Sequence, residues 1–566
     1  MRKPTRAIVG HLIIVATASC GDPANTPGTT TGGGATAGSG GSAGSSSAPL
    51  GGRMNAAAGS SATTGGSSAS GAGSGGAGGG ALAGRAGATD GGTGGNAGSG
   101  IAGAPGAGMP AGGSSMGGAS TGGASTGGAP MGGATGTDCS FTITATKSAK
   151  IGTVGVVDFT TTLASPTSAQ IVYSLDGAGA DILNKGGTAP VNVAKAPDLH
   201  AFLLGLKPSS SYTFHVEATS ASGTCKSPDQ KLMTGTLSGA PTITRTAQNA
   251  SAQAPGFIIT GGGVMGNTPV IIIDADGTVV WSLAGPQTCS RARLDYAAGY
   301  MWMLNLNVGN MGGEVRYVTL DGVTSMSVSQ LSKAHHDFTI LPDGTIATMV
   351  WSASGTDPES DLVERAPDGT VKTAFHLGPN VYAGGPSVVG GGSSSYHANS
   401  ILYHAKDDSY TIGDRNPNLF VKVSRAGAVQ WQFGGNCTGA KASICMTANW
   451  TVNHGHHLLD DGTFLLFSNG EFQSSSTPSN AYEFKLTTTG TPSAMQVKQY
   501  ASSTKDHSDS LGDVQRLPNG NTLITFSNTG RIEEVDKSWN LVQTLKAQSL
   551  GYAEWRPDLY GSYSRD

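Results

Sequence analysis

A short turn recurs through the C-terminal part of this sequence, and it constrains the fold more than any other feature. Asp-Gly or Asn-Gly, followed by Thr or Asn, precedes an apolar run at five places, and two looser copies occur. The glycines are Gly277, Gly344, Gly369, Gly462, Gly520, Gly322 and Gly427. Such pairs favour β-hairpins because both central residues tolerate positive φ. Seven hairpins across residues 241–566 predict radial repetition of antiparallel sheets, as in a six-bladed β-propeller, rather than the shorter and more regular repeat of a parallel β-helix.

Residues 138–240 have a different pattern, with short alternating apolar runs between turns and no helical period. Residues 204–218 resemble the later half of a fibronectin type III sandwich, in which Tyr212 would occupy the tyrosine corner. All seven tryptophans lie after residue 280, so the tryptophan typical of immunoglobulin domains is missing. We therefore predict a small fibronectin III-like or immunoglobulin-like β-sandwich that supports or spaces the propeller, in an all-β protein.

The N-terminal part resembles an export and tethering segment. Residues 1–20 combine a positively charged start with an apolar core too short to span a bilayer. They end in Thr-Ala-Ser-Cys-Gly, which resembles a bacterial lipoprotein box with Cys20 as the lipidated residue. Residues 21–137, rich in Gly, Ser, Ala and Thr, cannot bury enough apolar surface to offset their chain entropy. We expect a disordered tether and an exported lipoprotein in the periplasm, in the outer membrane or at the cell surface, with simple secretion as the alternative.

The charge balance excludes some classes of partner. The chain has 33 basic and 37 acidic side chains, which gives a formal net charge of −4. This balance gives no reason to expect nucleic acid or an anionic membrane surface as a partner. We expect membrane contact only through the lipid on Cys20, and the sequence leaves the oligomeric state open.

Cysteine usage fits an oxidising compartment. Of the six cysteines, one belongs to the lipidation site and one, Cys289, has no assigned role. Cys139 and Cys225 bracket the predicted sandwich, whereas Cys437 and Cys445 are eight positions apart, with Gly and Asn just before Cys437. We expect disulfides within both pairs, and buried free thiols are the alternative.

Histidine is scarce and clustered, with 12 in the chain. Four histidine-bearing segments, at 334–337, 397–400, 453–457 and 505–509, lie in the predicted propeller, and Arg415 stands between the second and third. A propeller gathers loops from distant blades at one end of its axis, so these segments can share one site. Several imidazoles and a guanidinium around one point suit an anion that gains charge during reaction, such as a sulfuryl or phosphoryl group.

These segments resemble the signature of bacterial arylsulfate sulfotransferases over roughly residues 330–536. The matching blocks are His335-His336-Asp337 with the following Leu-Pro-Asp-Gly, His397-Ala-Asn399-Ser-Ile, Arg415, residues 420–435, residues 453–470 and residues 517–522. The sequence departs from the family pattern at several positions. Asn453 stands where Gln is usual, and Gly413-Asp414 replaces a pair of serines.

The resemblance implies a fold and an activity. The family has a six-bladed propeller, often preceded by a small β-sandwich, and a disulfide close to its site. Its members transfer a sulfuryl group from a phenolic sulfate ester to another phenol, through a transiently sulfated histidine and without a nucleotide donor. We therefore expect phenolic sulfates and phenols as small-molecule partners, and no cofactor.

Roles follow from the chemistry of these side chains. A neutral imidazole nitrogen is a competent nucleophile near pH 7, and we expect His454 to be that nucleophile. Arg415 would bind two sulfuryl oxygens, and His336 would add a further donor. His397 is the expected acid–base partner of the phenol oxygens, with Asn399 as a neutral donor.

Several alternatives stay open at this level. His335 could replace His336 in the site, and His507 could contribute to substrate binding. If residues 453–457 form a strand, alternation places His454 and His456 on one face.

Two other functions remain possible for this arrangement. Zinc could be bound by His454 and His456 together with His336 or His397. A carboxylate ligand at a recognisable spacing is missing, however, and we expect no metal. The competing functions are therefore a metal-dependent hydrolase and a non-catalytic surface propeller that binds a sulfated, phenolic or glycan ligand.

Overall fold

Strands make up almost all the regular structure of the residues that the structure describes. The structure, a computed structural model, describes residues 139–263, 269–284, 288–306, 313–351, 360–378, 381, 396–471, 476–562 and 565. The expected export signal, the lipidation residue Cys20 and the tether lie outside these residues. Within them, the only helices are three short 3-10 turns, Val193–Lys195, Ala250–Ala252 and Ser329–Leu331. None of the helices in the described ranges is long and apolar enough to cross a membrane.

The first eight strands form two sheets around one hydrophobic core. They are β1 Phe141–Lys147, β2 Gly155–Thr161, β3 Ser168–Leu175, β4 Gly186–Val191, β5 Leu199–Leu203, β6 Ser211–Ser220, β7 Gly223–Lys226 and β8 Gln230–Met233. One sheet has the order β1-β2-β5 and the other β4-β3-β6-β7, with β8 also paired to β6. The side chains that face inward from both sheets form a single cluster, as in a β-sandwich.

Two contacts fix the sandwich locally. Burial alternates strictly along β6, because successive side chains of a strand point to opposite faces. On this strand the Tyr212 hydroxyl accepts a hydrogen bond from Lys207 N at 2.8 Å, the contact expected of a tyrosine corner. The predicted disulfide between Cys139 and Cys225 is present, with the two Cα atoms 6.3 Å apart.

The remaining strands begin with β9 and follow one another to β34. They are β9 Thr244–Ala247, β10 Phe257–Thr260, β11 Pro269–Asp274, β12 Val279–Ala284, β13 Thr288–Asp295, β14 Tyr300–Leu306, β15 Glu314–Thr319, β16 Ser325–Ser327, β17 Ala334–Ile340, β18 Ile346–Trp351, β19 Ser360–Arg365, β20 Val371–His376, β21 Ala398–His404, β22 Ser409–Asp414, β23 Leu419–Ser424, β24 Val429–Gly434, β25 Ile444–Met446, β26 Asn453–Leu458, β27 Thr463–Ser468, β28 Asn480–Thr487, β29 Ser493–Ala501, β30 Asp513–Arg516, β31 Thr522–Phe526, β32 Arg531–Val535, β33 Leu541–Lys546 and β34 Ala553–Arg556.

These strands form six sheets of four or five strands in the described residues. Their orders are β34-β10-β11-β12, β13-β14-β15-β16, β17-β18-β19-β20, β21-β22-β23-β24-β25, β26-β27-β28-β29 and β30-β31-β32-β33-β9. The innermost strands contact one another in succession, in the order β34, β13, β17, β21, β26, β30 and β34 again. This radial, propeller-like arrangement of six sheets is the fold class that the sequence predicts.

The recurrent glycine turns lie between neighbouring strands of a sheet, but their geometry differs from the prediction. All seven glycines have φ between 76° and 91°, whereas the residue before each does not have positive φ. In the first turn, Gly277 N donates to Asp274 O, and Asp274 N donates to Thr278 O, both at 2.9 Å. Six of the seven are three-residue loops, a type I turn followed by a left-handed glycine, and the loop at Gly322 has four residues, since Thr319 N donates to Thr324 O. The expectation of two positive-φ residues is therefore wrong.

The sandwich and the six sheets are joined by polar contacts. Lys207 of the sandwich binds Asp276 at 2.9 Å and also binds the buried Asp274. Tyr560, which follows β34, lies 2.7 Å from the Tyr173 hydroxyl across the same junction. Tyr560 therefore links the sandwich to the segment that follows β34, the strand of the first sheet that comes last in the sequence.

Candidate active site

Four inner strands carry an irregularity where they begin. The register shifts between Cys289 and Arg291 in β13, between His335 and Phe338 in β17, between Ala398 and Ser400 in β21, and between Asn453 and His456 in β26. A bulge inserts an extra residue and re-aims the side chains beside it. The bulges in β17, β21 and β26 coincide with three of the histidine segments.

The histidine bulges depend on unusual local geometry. His336 has φ of 62°, the left-handed region that side chains other than glycine seldom adopt. At Gly455, an added Cβ would lie 2.3 Å from Asp513 Oδ1, so only glycine allows β26 to approach β30 this closely. The positive φ of His336 and the missing side chain of Gly455 thus allow bulges that a regular strand would not form.

Three of the predicted catalytic histidines meet at this end of the inner strands. The ring centroids of His336 and His397 are 4.6 Å apart, and those of His336 and His454 are 6.4 Å apart. Each of the three side chains is at most 4% exposed. Arg415, also buried, acts electrostatically on His336 and His454, so its guanidinium belongs to the same cluster.

His454 is held in one tautomer by Asn469, a residue that our sequence analysis did not assign to the site. The Asn469 amide nitrogen donates to Ser508 O at 2.6 Å and to Leu511 O at 2.8 Å. Its Oδ1, 2.5 Å from His454 Nδ1, must therefore accept the hydrogen bond between them. The Nδ1 atom of His454 carries the proton, and the lone pair lies on Nε2.

The electrostatic environment keeps His454 neutral. Burial, together with the positive charges of Arg415 and His397, lowers the pKa of His454 from 6.5 to about 3, and the bond to Asn469 offsets only part of this. An imidazole with an unprotonated Nε2 is nucleophilic. The site therefore presents a neutral nitrogen nucleophile beside a permanent positive charge.

Backbone contacts position Arg415 and His397 together. His397 N donates to Asp414 Oδ1 at 2.8 Å, and Arg415 N donates to His397 O at 3.0 Å. Asp414 ends β22 and is fully buried, so it fixes the segment before β21 to the segment after β22. Asp414 stands at one of the two positions where the family pattern has serine, and it has this bridging role.

His336 does not present a free ring nitrogen to a substrate. Its Nε2 lies 3.0 Å from His397 Nε2, and its Nδ1 lies 2.9 Å from His335 Nδ1. We expected His336 to donate directly to sulfuryl oxygens. In the structure its ring instead links the imidazoles of His335 and His397. His335 also belongs to the cluster, and its Nε2 lies 3.1 Å from Ser360 Oγ.

Asn399 is anchored beside Asn453, the residue that precedes His454. Its amide nitrogen donates to Asn453 O at 2.7 Å, so one of the N–H groups expected to act as a neutral donor is used within the protein. Its Oδ1 is buried and has no hydrogen-bond partner among the described residues. A buried acceptor of this kind is suited to a hydroxyl hydrogen of a bound molecule.

His456 and His457 point away from His454, so the predicted alternation is wrong. His456 lies 3.0 Å from Ser400 Oγ and 2.8 Å from Thr411 Oγ1, whereas His457 Nδ1 accepts a hydrogen bond from Arg516 N at 3.0 Å. The bulge at Gly455 is the physical reason. In the described ranges, no group of His, Cys, Asp and Glu side chains has the arrangement of a metal site.

His507 makes its contacts outside the cluster. Its Nδ1 lies 2.7 Å from Thr477 O, and its Nε2 lies 2.8 Å from Asp509 Oδ1. Both ring nitrogens are thus used locally. The neighbouring Ser508 carbonyl reaches the site indirectly, through the amide of Asn469.

A charge network lies against the histidine bulges, and our sequence analysis did not identify it. Arg291 binds Asp337 at 2.7 Å and Asp513 at 2.8 Å, and Arg565 binds Asp513 at 2.7 Å. Although burial alone would raise it, the charges of Arg565 and Arg291 lower the pKa of Asp513 to about 2. Asp337 follows His336 directly, so this network anchors the strand that carries that histidine.

The cysteines of the six sheets form one disulfide and one free thiol. Cys437 and Cys445 form the predicted disulfide, which ties β25 to the segment after β24. That segment leads to Trp450, whose Nε1 donates to Asn453 Oδ1 at 3.3 Å, next to His454. Cys289 is a buried free thiol, and burial raises its pKa to about 12.

Several solved structures are similar in part. They include a streptogramin B lyase (12% identity, 54% of this chain and 88% of that chain, TM-score 0.32). A catalytically inactive virginiamycin B lyase from Staphylococcus aureus with quinupristin has 13% identity over 53% of this chain and 88% of that chain, with a TM-score of 0.32. An oligogalacturonate lyase in complex with manganese has 9% identity over 53% of this chain and 77% of that chain, with a TM-score of 0.32. Likeness at this level carries no argument about activity.

A family match carries more information. No curated protein matches the chain. A family model described as Arylsulfotransferase (ASST) matches residues 393–548, which include His397, Asn399, Arg415, His454 and Asn469. The match confirms the resemblance found in the sequence motifs, and it suggests aryl sulfotransferase activity. The similarity to the arylsulfotransferase family therefore rests on residues 393–548.

Proposed function

We propose that this protein is an aryl sulfotransferase that moves a sulfuryl group from a phenolic sulfate ester to a phenolic acceptor through a sulfated His454. The observation that carries the proposal is the hydrogen bond between His454 Nδ1 and Asn469 Oδ1. It leaves the lone pair on Nε2, beside the charge of Arg415. Buried, pre-oriented positive charge stabilises an anion most effectively, because no water has to reorganise.

In the first half-reaction, His454 Nε2 forms a bond to the sulfur of the donor ester. The bond between sulfur and the aryl oxygen breaks, and its electron pair stays on the leaving phenolate. The guanidinium of Arg415 would bind two sulfuryl oxygens as they gain charge. The His397 ring, protonated at this stage, gives its proton to the phenolate oxygen.

In the second half-reaction, the acceptor phenol reverses these steps. Its hydroxyl proton passes to the His397 ring, and its oxygen attacks the sulfur as the bond to Nε2 breaks. The electron pair of that bond returns to His454, which regains its lone pair. Asn399 Oδ1 would accept the hydroxyl hydrogen while the phenol enters, before that proton passes to His397, since the amide oxygen is buried beside Asn453 with no partner among the described residues.

The setting of this chemistry is also part of the proposal. Export as a lipoprotein with Cys20 as the lipidated residue would place the site in the periplasm or at the cell surface. Both disulfides of the described residues require an oxidising compartment to form. Residues 21–137 would then act as a tether between the lipid and the sandwich.

Turnover of 4-nitrophenyl sulfate tests the proposal directly. We expect a burst of nitrophenol as His454 is sulfated, followed by steady release that rises with added phenol. In His454→Ala both phases should vanish. The matched control is His507→Ala, because the contacts of His507 are with Thr477 and Asp509 rather than with the ring of His454.

Each competing function predicts a different result. Release without stimulation by phenol would indicate hydrolysis, in which water is the acceptor. Loss of activity in a chelator, restored by zinc, would indicate a metal-dependent hydrolase. No release from folded, oxidised protein, combined with binding of the intact ester, would indicate a propeller that binds sulfated or phenolic ligands without catalysis.

A further inference from the structure

Three imidazoles and a hydroxyl form an unbroken line that ends outside the reacting centre. Ser360 Oγ lies 3.1 Å from His335 Nε2, His335 Nδ1 lies 2.9 Å from His336 Nδ1, and His336 Nε2 lies 3.0 Å from His397 Nε2. All four side chains are at most 4% exposed. Every link has the length of a true hydrogen bond.

The links lock the tautomers of the three rings together. A neutral imidazole has one N–H and one lone pair, so each nitrogen–nitrogen contact needs one proton and only one. If His397 Nε2 carries the proton of its contact, His336 must carry its own on Nδ1, and His335 must then carry its own on Nε2. If His397 gains a second proton at Nδ1, two shifts between neighbouring rings move the positive charge to His335.

The surroundings of the rings favour that direction of transfer. After burial, the pKa of His336 is lowered by the charges of His397, His335, His454 and Arg415, whereas that of His335 is lowered only by burial and His397. A positive charge on His335 is thus removed from the repulsion of Arg415. No carboxylate of the described residues contacts either ring, so an ion pair does not hold the proton in place.

His335 also has a partner suited to a cation. Its ring stacks on the indole of Trp351, with the centroids 3.9 Å apart and the planes inclined by 18°. Trp is the aromatic side chain that attracts a cation most strongly, and the attraction grows when water is excluded. Ser360 can accept the second N–H of a protonated His335 through its hydroxyl oxygen.

We propose that His397, His336 and His335 form a proton relay that carries the hydroxyl proton of the acceptor phenol away from the sulfuryl group. The inference rests on the proposed function and adds His335, Trp351 and Ser360 to it as positioning residues. As the phenol gives its proton to His397, the proton on His397 Nε2 passes to His336, and that on His336 Nδ1 passes to His335. In the next cycle the reverse shifts return one proton to the leaving phenolate, so the balance closes without any further reactant.

The relay predicts that the two half-reactions respond differently to one substitution. In His335→Gln, the burst from 4-nitrophenyl sulfate should change little, because 4-nitrophenolate needs little protonation to leave. Phenol-dependent kcat should fall by up to about a hundredfold, the lower end of general acid–base effects, because His397 can still take the first proton, while KM for the donor stays unchanged. His456→Gln is the matched control, since His456 is equally buried, contacts two hydroxyls and lies outside the relay.

The number of protons transferred in the rate-limiting step is a measurement that a purely structural role of His335 would not change. Phenol-dependent turnover of the wild type, measured in mixtures of light and heavy water, should give a curved proton inventory. That of His335→Gln should be less curved, because the transfer from His336 to His335 is lost. Ser360→Ala keeps all three rings but removes the oxygen that accepts the Nε2 proton of the charged His335, so it should also reduce the curvature, which guards against a misfolded His335 variant. A straight inventory in the wild type, or equal loss of burst and turnover in His335→Gln, would overturn the relay. A wild type without any burst would instead overturn the proposed function.

Discussion

His454 Nδ1 and Asn469 Oδ1 lie 2.5 Å apart, and two backbone carbonyls orient the amide that joins them. The asparagine comes from the end of β27, next to the strand that carries the histidine. Its contribution is to decide which ring nitrogen holds the proton. A buried catalytic imidazole needs such a partner, because without it the two tautomers compete.

Substitution of Asn469 should therefore impair sulfation of His454 without removing the nucleophile. We expect Asn469→Ala to lower the burst rate by about 10- to 100-fold, the usual cost of losing a partner that orients a ring. Rapid-mixing measurement of nitrophenol release checks this. The control is Asn480→Ala, since Asn480 is partly buried, its amide nitrogen donates to Pro478 O and its Oδ1 accepts a hydrogen bond from Gln499 Nε2. An unchanged burst rate in Asn469→Ala would show that the tautomer is fixed in another way.

The depressed pKa of His454 predicts how sulfation responds to acid. Since burial and nearby charge lower that pKa to about 3, the ring stays unprotonated when the pH falls from 7 to about 5. The burst amplitude should be constant over this interval. Single-turnover measurements with 4-nitrophenyl sulfate at several pH values check it, with near-ultraviolet circular dichroism as evidence of folding. A burst that titrates near the ordinary histidine pKa of about 6.5 would contradict this assignment.

Arg415 should act through the planar geometry of its guanidinium group as well as through its charge. We expect Arg415→Gln to lower kcat for 4-nitrophenyl sulfate by about 100- to 1,000-fold, the usual effect of losing one donor to a developing anion. Arg415→Lys should fall in between, because an ammonium keeps the charge but cannot bind two oxygens side by side. Arg316→Gln is the control, since Arg316 pairs with Glu314 on β15. Equal activity of Arg415→Lys and the wild type would exclude bidentate binding.

The charge network beside the bulges should matter for stability. Asp513→Asn would leave Arg565 and part of Arg291 buried without compensation, and we expect the free energy of unfolding to fall by about 3–5 kcal/mol. Chemical denaturation measures this change. Asp460→Asn is the control because its carboxylate, paired with Lys406, is 70% exposed, and exposed pairs contribute about 1 kcal/mol or less.

The same aspartate predicts a window of acid sensitivity. Its pKa is lowered to about 2 in the folded protein, below the value of about 3.9 expected for an unfolded chain. A depressed carboxyl pKa contributes stability that is complete above the unfolded pKa and is lost as the pH falls through the folded one. We expect the wild type to lose stability between about pH 4 and pH 2 more steeply than Asp513→Asn. Parallel pH profiles of the two proteins would refute the assignment.

The sequence predicted those features that depend on neighbours along the chain. The glycine turns follow from local backbone preference, and they were sufficient to predict repeated antiparallel sheets. The site histidines could be grouped because they follow ordered motifs. Their pairing with Arg415 could be expected from the chemistry of a sulfuryl group.

The features that the sequence did not predict depend on distant partners. The separation of His454 from His456 results from the bulge at Gly455, and that glycine is required by Asp513 on the next inner strand. Arg291, Asp513 and Arg565 meet only because the inner strands converge. Asn469 lies within a recognised motif, yet its role becomes visible only when the carbonyls of Ser508 and Leu511 are in place.

The pairing of β10 with β34 has a consequence for how the chain folds. Phe257 pairs with Arg556, so the first sheet has no innermost strand until the last one arrives. Contacts between residues so far apart in sequence raise the contact order, and closing such a long loop slows folding. Until then the edge of β10 is an open template for strands of other molecules. The first sheet, and the sixth sheet in which β33 pairs with β9, can therefore be completed only after release of nearly the whole chain, whereas the sandwich can fold early from local contacts.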